Sequence, residues 1–375
     1  MVKEILSKRV TMFELFYDLV FVYMLSQTTE IIRNLHHGIV TPMSFLIFVI
    51  VMVVFLNSWM IQTVYTNRYG SSSTSNVIFS FINMMFVLYL SNCFRNLKNY
   101  RIFFVVAGLL SLTLFLQYLI TYFQATSRAD HKISEAFSII LGCRSLFLLV
   151  GGIISGSLGI VIALIGVVAS WLAPGIFTGR YTKHHPIIFS HLLERLTLLT
   201  IITFGETIVE IADYFTKENF TGWSILIFAI VAGMFYIYVI EFDHFIEDHR
   251  RGETGNRLIY LHYPLIFGII MVTVALNFIN EVNANPYFAV GCLYTGILLF
   301  VFGMLEAEAY KKPAFKLNQR QIIMKFVGWV LGLGICLSRP QFAVIVVVTV
   351  ILLGLYVTST ARQLINHRNS HSNNN

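Results

Sequence analysis

Two acidic residues one helical turn apart, Glu14 and Asp18, interrupt the apolar run Phe13-Glu14-Leu15-Phe16-Tyr17-Asp18-Leu19-Val20-Phe21. Residues four apart share a helix face, so both carboxylates point the same way. A second group lies at His191-Leu192-Leu193-Glu194-Arg195, followed along the same run by Gly205-Glu206-Thr207 and Glu210. His191 and Arg195 stack at the same four-residue spacing, whereas Glu206 falls about 16 Å further along a helix, beyond the reach of Arg195. Arg195 therefore needs a carboxylate at its own depth, and Glu14, Asp18 and Glu194 are the candidates. Arg144, midway along another apolar run, is the candidate cation for Glu206. Each charged residue at a bilayer centre costs about 2.5–3.5 kcal/mol on insertion scales, so such groups persist where they face partners or water. Carboxylates held there with an imidazole and a guanidinium can exchange protons or hold an ion. Glu14, close to the start of its helix, also admits an interfacial placement.

A third group comprises Glu241, Asp243, His244, His249 and His262. Asp243 and His262 are the candidates for lining an interior; the charges from His244 to Arg251 read as a solvated helix end. The spacing of Asp243, His244, Glu247 and His249 matches no defined metal-ligand set. His191-x-x-Glu194-Arg195 places an arginine where an inverted zinc-protease motif requires its second histidine. There is no nucleophile elbow, no phosphate-cradling glycine loop, no dinucleotide fingerprint and no carbonyl filter sequence. The four cysteines are scattered singly. No catalytic residue, metal or cofactor is indicated.

The elements that must position these residues follow from composition. Apolar residues make up 57% of the 375 and charged residues 12%, against about a quarter charged in soluble chains. Runs of about 20 apolar residues, the length a helix needs to cross hydrocarbon, recur at 12–33, 42–65, 75–93, 101–124, 134–155, 157–173, 187–213, 221–243, 257–280, 286–310, 321–338 and 340–361. Alternating ten-residue segments of a lipid-facing barrel are not seen. The expected class is an all-α integral membrane protein of about twelve transmembrane helices. Most of the 26 Lys and Arg fall on loops and tails on the N-terminal side; Arg33, Arg95, Lys98, Arg101, Lys217 and Arg339 fall opposite, and Arg144 and Arg195 within spans. That asymmetry predicts both termini in the cytoplasm. It also accounts for the net charge of +7 without a nucleic-acid partner; the partners expected are membrane lipids and a small solute or ion. Lys3, Lys8 and Arg9 resemble a signal-peptide start, but Glu14 and Asp18 break any apolar core and no cleavage site follows, so the segment reads as the first helix.

At an offset of 180, Glu14 falls on Glu194, Glu30 on Glu210, Thr74 on Thr254, Asn76 on Asn256 and Gly152 on Gly332. Acidic and amide coincidences are less common by chance than apolar ones, and they point to tandem halves. The predicted organisation is two six-helix repeats, 1–180 and 181–361, with a polar cytoplasmic tail at 362–375, disordered from His367. An even number of spans per half makes the repeats parallel. The joint lies near Trp171 to His185, where Pro174, Gly175 and Gly179 interrupt the helix. Gly152-x-x-x-Gly156 and Gly328-x-x-x-Gly332 read as close-packing contacts between helices.

The motif around Glu14 and Asp18, with His191-Leu192-Leu193-Glu194-Arg195 and Phe204-Gly205-Glu206-Thr207-Ile208, resembles the bacterial low temperature requirement protein A family. The similarity runs across all the predicted spans. It implies a multi-pass protein of the bacterial cytoplasmic membrane associated with growth in the cold, and it makes Glu14, Asp18, His191, Glu194, Arg195 and Glu206 the motif positions. The eighth helix departs from the family's Trp-Trp-x-Tyr-Phe-Asp ending: it reads Phe235-Tyr236-Ile237-Tyr238-Val239-Ile240-Glu241-Phe242-Asp243, retaining Asp243 without the tryptophans. Three functions are compatible with these residues. The first is a proton- or ion-coupled transporter. The second is a cation channel of the two-repeat six-helix type, to which Arg9 and the following aspartate are distantly similar, although Leu198 stands opposite Asp18 in the seventh helix. The third is a non-transporting membrane enzyme or adaptation protein.

Overall fold

Twenty-residue apolar runs leave the backbone no partner but itself, and they form helices throughout. The computed structural model describes residues 8–70, 74–93, 100–177, 182 and 185–372. Lys3, Arg95, Lys98, Gly179, Arg180 and Lys183, used above for charge and boundaries, lie outside the described residues. Among those described there is no strand. The long helices are α1 (Met12–Arg33), α2 (Pro42–Tyr69), α3 (Thr74–Asn92), α4 (Tyr100–Gln124), α5 (Arg128–Ile153), α6 (Ser157–Phe177), α7 (Phe189–Ile211), α8 (Gly222–Ile240), α9 (Asn256–Phe278), α10 (Pro286–Glu306), α11 (Gln319–Ser338) and α12 (Phe342–Ser372). Ten of them are long and apolar enough to cross a membrane; α1 and α7, which carry most of the acidic motif positions, are the other two. Outward-facing residues on α11 are Ile323, Met324, Phe326, Val327, Val330 and Leu331. An apolar exterior of this extent suits hydrocarbon and not water.

The helix starts follow local chemistry. Ser127 caps α5 by accepting from the Asp130 N–H, which sets the helix start at Arg128, six residues before the apolar run begins. Asn285 caps α10 ahead of Pro286, and Thr221/Ser224 and Asn318/Gln321 form capping boxes on α8 and α11. Two expectations about helix ends change. Pro174 lies inside α6, which runs to Phe177, because a proline removes one hydrogen bond near the end of a helix and need not stop its last turn. The final helix continues to Ser372 through residues expected to be a disordered tail; after Gly354 no proline or glycine intervenes to end it.

The chain forms two compact units. The first holds α1 through α6, α7 as far as Leu198, and the segment Asp248–Ile259; the second holds Arg33–Thr41, the rest of α7, α8, and α9 from Tyr260 onward through α12. In the first unit α4 lies along α5 and α5 along α6, with α2 and α3 also against α4; in the second, α12 packs on α8 and α11, and α10 on α11. Glycines set the closest approaches. A Cβ on Gly268 of α9 would stand 2.6 Å from the Gly296 carbonyl of α10, and one on Gly296 2.8 Å from the Gly268 carbonyl. Gly152 is likewise closed in by α4, whereas Gly156, at φ +84° with open space around it, serves the α5–α6 turn and not helix packing. Replacing Gly296 by leucine is expected to lower stability by about 1–3 kcal/mol through overpacking, read as a lower melting temperature in detergent. Gly291→Ala, on the same helix with nothing within 4 Å, is expected to melt like the parent.

Candidate functional site

One buried polar cluster of the first unit draws on three helices. α1 supplies Glu14, Tyr17 and Asp18, α7 supplies His191 and Arg195, and α2 supplies Trp59, Thr63 and Asn67 at successive four-residue steps. All eight are buried. Arg195 donates from Nη2 to Asp18 Oδ1 at 2.8 Å, and Trp59 donates from its indole N–H to the same oxygen at 2.8 Å. The guanidinium carbon also lies 5.3 Å from the Trp59 ring centroid, a cation–π placement that helps hold the charge out of water. Arg195 Nη1 stands 3.5 Å from Glu14 Oε1, and His191 Nε2 stands 3.3 Å from that oxygen. Both readings of Glu14 apply, one to each oxygen. Oε2 closes a capping box with Thr11, accepting from its N–H at 2.8 Å while the Glu14 N–H is bound by Thr11 Oγ1; Oε1 faces the charged group.

Asn67 fixes the imidazole. Its carbonyl accepts from the Ile188 N–H, and its amide donates to the Ile188 carbonyl and to His191 Nδ1, all at 2.9–3.0 Å. An acceptor at Nδ1 puts the ring proton of neutral His191 on Nε2, facing Glu14. Several atoms nonetheless remain without a hydrogen-bond partner: Glu14 Oε1, Asp18 Oδ2, the Tyr17 hydroxyl, His191 Nε2, and Arg195 Nε and Nη1. Beside them lies a half-open cavity of about 290 Å³, lined by Lys8, Arg9, Glu14, Gln62, Asn76 and Arg195 among others, with room for about ten waters at their liquid volume. Lys8 donates to the carbonyls of Thr66 and Gly70 at the end of α2. Burial pulls its ammonium below the usual lysine range, Glu14 opposing this and Arg195 adding to it.

Other motif residues lie elsewhere. Glu194 is exposed, so Arg195 takes Glu14 and Asp18 as partners and not its own neighbour. Arg144 is buried in the first unit, donating to Asn57 Oδ1 at 2.6 Å, Ser58 Oγ at 2.9 Å and the Val54 carbonyl at 3.2 Å; its bound partners are neutral groups of α2. In the second unit Glu206 is buried, Thr207 shares a 2.7 Å hydrogen bond with Thr273, and Glu210 accepts from Arg33 at 3.1 Å and Asn277 at 2.6 Å. His262 is a core histidine hydrogen-bonded to the Tyr238 hydroxyl at 3.1 Å and set edge-on to Phe242. Asp243 is at the surface beside His244. A π-helical segment, Glu241–Phe245, ends α8 there; its widened turn carries Glu241 inward and leaves Asp243 out. Glu241 meets Lys311 at 2.6 Å and Lys325 at 3.9 Å, and Lys311 also pairs with Glu308. Burial alone favours loss of the Lys311 proton, but Glu241 and Glu308 outweigh it and raise the ammonium above the usual lysine range. Among the described residues no three His, Cys, Asp or Glu side chains converge to hold a metal.

The motif residues and the helical architecture agree with what comparison finds: the family model for bacterial low temperature requirement A protein (LtrA) matches residues 9–357. The chain belongs to this family. No curated protein and no solved structure matches it. The match covers nearly all of the helical region, so the low temperature requirement A fold includes both units. Within it, sequence reasoning missed Trp59, Thr63 and Asn67, whose four-residue spacing inside the apolar run of α2 was the available signal, and Lys311 and Lys325, which had counted only toward the charge asymmetry. Lys325 is a cation two turns inside a helix long and apolar enough to span, and that was its signal.

Removing Arg195 leaves two buried carboxylates without their cation. Arg195→Leu is expected to lower stability by about 3–5 kcal/mol, with part of the loss recovered when Asp18→Asn is added; thermal unfolding of both variants in detergent measures this. Melting of Arg195→Leu with the parent would show that the pair does not hold these helices. Lys311→Met is expected to destabilise more than Lys325→Met, since Lys311 contacts two carboxylates closely and Lys325 is 3.9 Å from one.

Proposed function

We propose that this low temperature requirement A protein is a proton- or ion-coupled transporter of a small solute in the bacterial cytoplasmic membrane, needed for growth in the cold. One observation carries the reading: the Glu14–Arg195–Asp18 group borders a cavity that Lys8, Arg9, Gln62 and Asn76 also line. Two carboxylates and one guanidinium leave one net negative charge, which a single proton cancels. Low local dielectric makes that difference large, so occupancy of the cavity and protonation of the cluster are energetically linked. An ion pair serving only to hold helices together has no use for unfilled donors and acceptors beside a space of this size.

In this proposal the twelve long helices all span, arranged as two parallel six-helix repeats at 1–180 and 181–361 with both termini cytoplasmic. The division of the chain, α1 to α6 in one compact unit and α8 to α12 in the other, supports it. The register partners have diverged: Glu14 is buried where Glu194 is exposed, and Glu210 is buried where Glu30 is exposed. Rocking of the repeats would expose the cluster alternately to the two sides. A second reading, in which buried ions only fix packing, is favoured at Glu241, Lys311 and Lys325. There the neighbouring space is only about 10 Å³.

The test is flux in proteoliposomes. Asp18→Asn and Glu206→Gln are expected to abolish solute-driven proton or ion movement in protein that remains folded, and flux that saturates and follows a counter-gradient identifies a carrier. If no tested solute moves and Asp18→Asn merely lowers the melting temperature, the transport reading fails.

A further inference from the structure

The cavity beside α1 has an imbalance of donors over acceptors that the ion pair does not absorb. Of its ionisable lining residues, Lys8, Arg9 and Arg195 are cationic and Glu14 alone is anionic. Lys8 is engaged with carbonyls of α2, and Glu14 Oε2 is engaged by Thr11. Arg195 is 99% buried; its Nη1 is 3.5 Å from Glu14 Oε1 without a hydrogen bond between them, its Nε has no hydrogen-bond partner, and the same holds for the hydroxyl of buried Tyr17, which also lines the space. Arg9 is exposed at the cavity, outside α1. Buried donors without partners carry the cost of their lost hydration. A ligand rich in acceptor oxygens removes that cost, and guanidinium forks match carboxylate and phosphate geometry in particular. A metal or ammonium cation would instead meet three positive groups.

We propose that this cavity binds an oxyanion, a carboxylate or phosphate group, between the guanidiniums of Arg9 and Arg195 with the Tyr17 hydroxyl as a further donor. The group can arrive on a free solute or as the headgroup of an anionic lipid, since exposed Met12, Phe13 and Phe16 offer an apolar surface along which acyl chains can lie. The inference rests on the reading of the cavity as a solute site and gives that solute its chemical class.

The experiment is equilibrium binding to the full chain, which needs no flux and so fails independently of the transport assay. Melting in neutral detergent is followed against inorganic phosphate and succinate, each compared with chloride at equal ionic strength. In parallel, lipid retained by the protein is counted by native mass spectrometry after extraction from bilayers of mixed phosphatidylglycerol and phosphatidylcholine. Stabilisation by either free oxyanion identifies a solute; selective retention of phosphatidylglycerol without it identifies a lipid headgroup. Arg9→Gln, a surface change outside the helices, is expected to weaken binding about tenfold, the loss of one charge-assisted hydrogen bond, while Lys217→Gln, an exposed lysine remote in sequence, leaves it unchanged. The proposal is overturned if neither oxyanion nor phosphatidylglycerol is preferred, if Arg9→Gln binds as tightly as the parent, or if Lys217→Gln weakens binding equally.

Discussion

A guanidinium enclosed by helices must be surrounded by partners, and Arg195 organises the first unit on that condition. Its charge is shared between Asp18 and Glu14 and capped by the Trp59 ring. Each of those partners is held in turn by something else. Trp59 reaches Asp18 through its indole N–H, Thr11 pins the outer oxygen of Glu14, and Asn67 clasps the Ile188 backbone just before α7 while setting the tautomer of His191. The fixed points are therefore Glu14 and Asp18 of α1, Trp59 and Asn67 of α2 and the first turn of α7, all converging on a single cation. Loss of any one leaves an ion or a polar atom uncompensated in low dielectric, which is why interactions of this kind couple strongly to helix placement.

The same condition explains why α1 and α7 are the two long helices that do not qualify as spans by apolarity and charge. Glu14, Asp18, Arg195, Glu206 and Glu210 would each oppose insertion of an isolated segment. Paired, they oppose it far less, because the acid of one helix neutralises the base of another. α2, at the centre of this arrangement, has polar groups along much of its buried length: Asn57 and Ser58 receive Arg144, and Trp59, Thr63 and Asn67 serve Arg195 and His191. A helix that is apolar by composition thus supplies most of the neutral hydrogen bonding for two buried arginines.

How far the sequence disclosed this depends on the range of the interaction. Helix existence was legible because twenty consecutive apolar residues have few alternatives, and Glu14, Asp18, His191 and Arg195 were legible because ions are conspicuous in such runs. Their pairing was narrowed by helical rise alone, which removed Glu206 and left Glu14 and Asp18 among the candidates. Asn67 and Trp59 were not legible, since neutral polar and aromatic residues in an apolar run look like ordinary core or interface until a partner from another helix is placed beside them. Asp243 and Glu241 were ordered by one extra residue in a π turn, a change of backbone winding that residue spacing does not encode. Helix ends were misjudged at Pro174 and beyond Arg362 for a related reason: a breaker near a terminus need not break, and a polar stretch without one can keep winding.

The two buried charge clusters differ in a way that bears on what each does. Around Glu241, two carboxylates and two ammonium groups balance, Lys311 is close to both acids and little space remains beside them. Around Arg195 the charges do not balance, orphan donors and acceptors persist, and a cavity adjoins them. Selection for stability alone would drive both toward the first condition, by filling the space with apolar side chains or by supplying the missing partner. On the proposed reading, an unbalanced cluster beside such a cavity favours something that enters from outside, a proton or an oxyanion, and binding would offset the cost of the unpaired groups; it is this asymmetry between two clusters of similar composition that the proposal rests on.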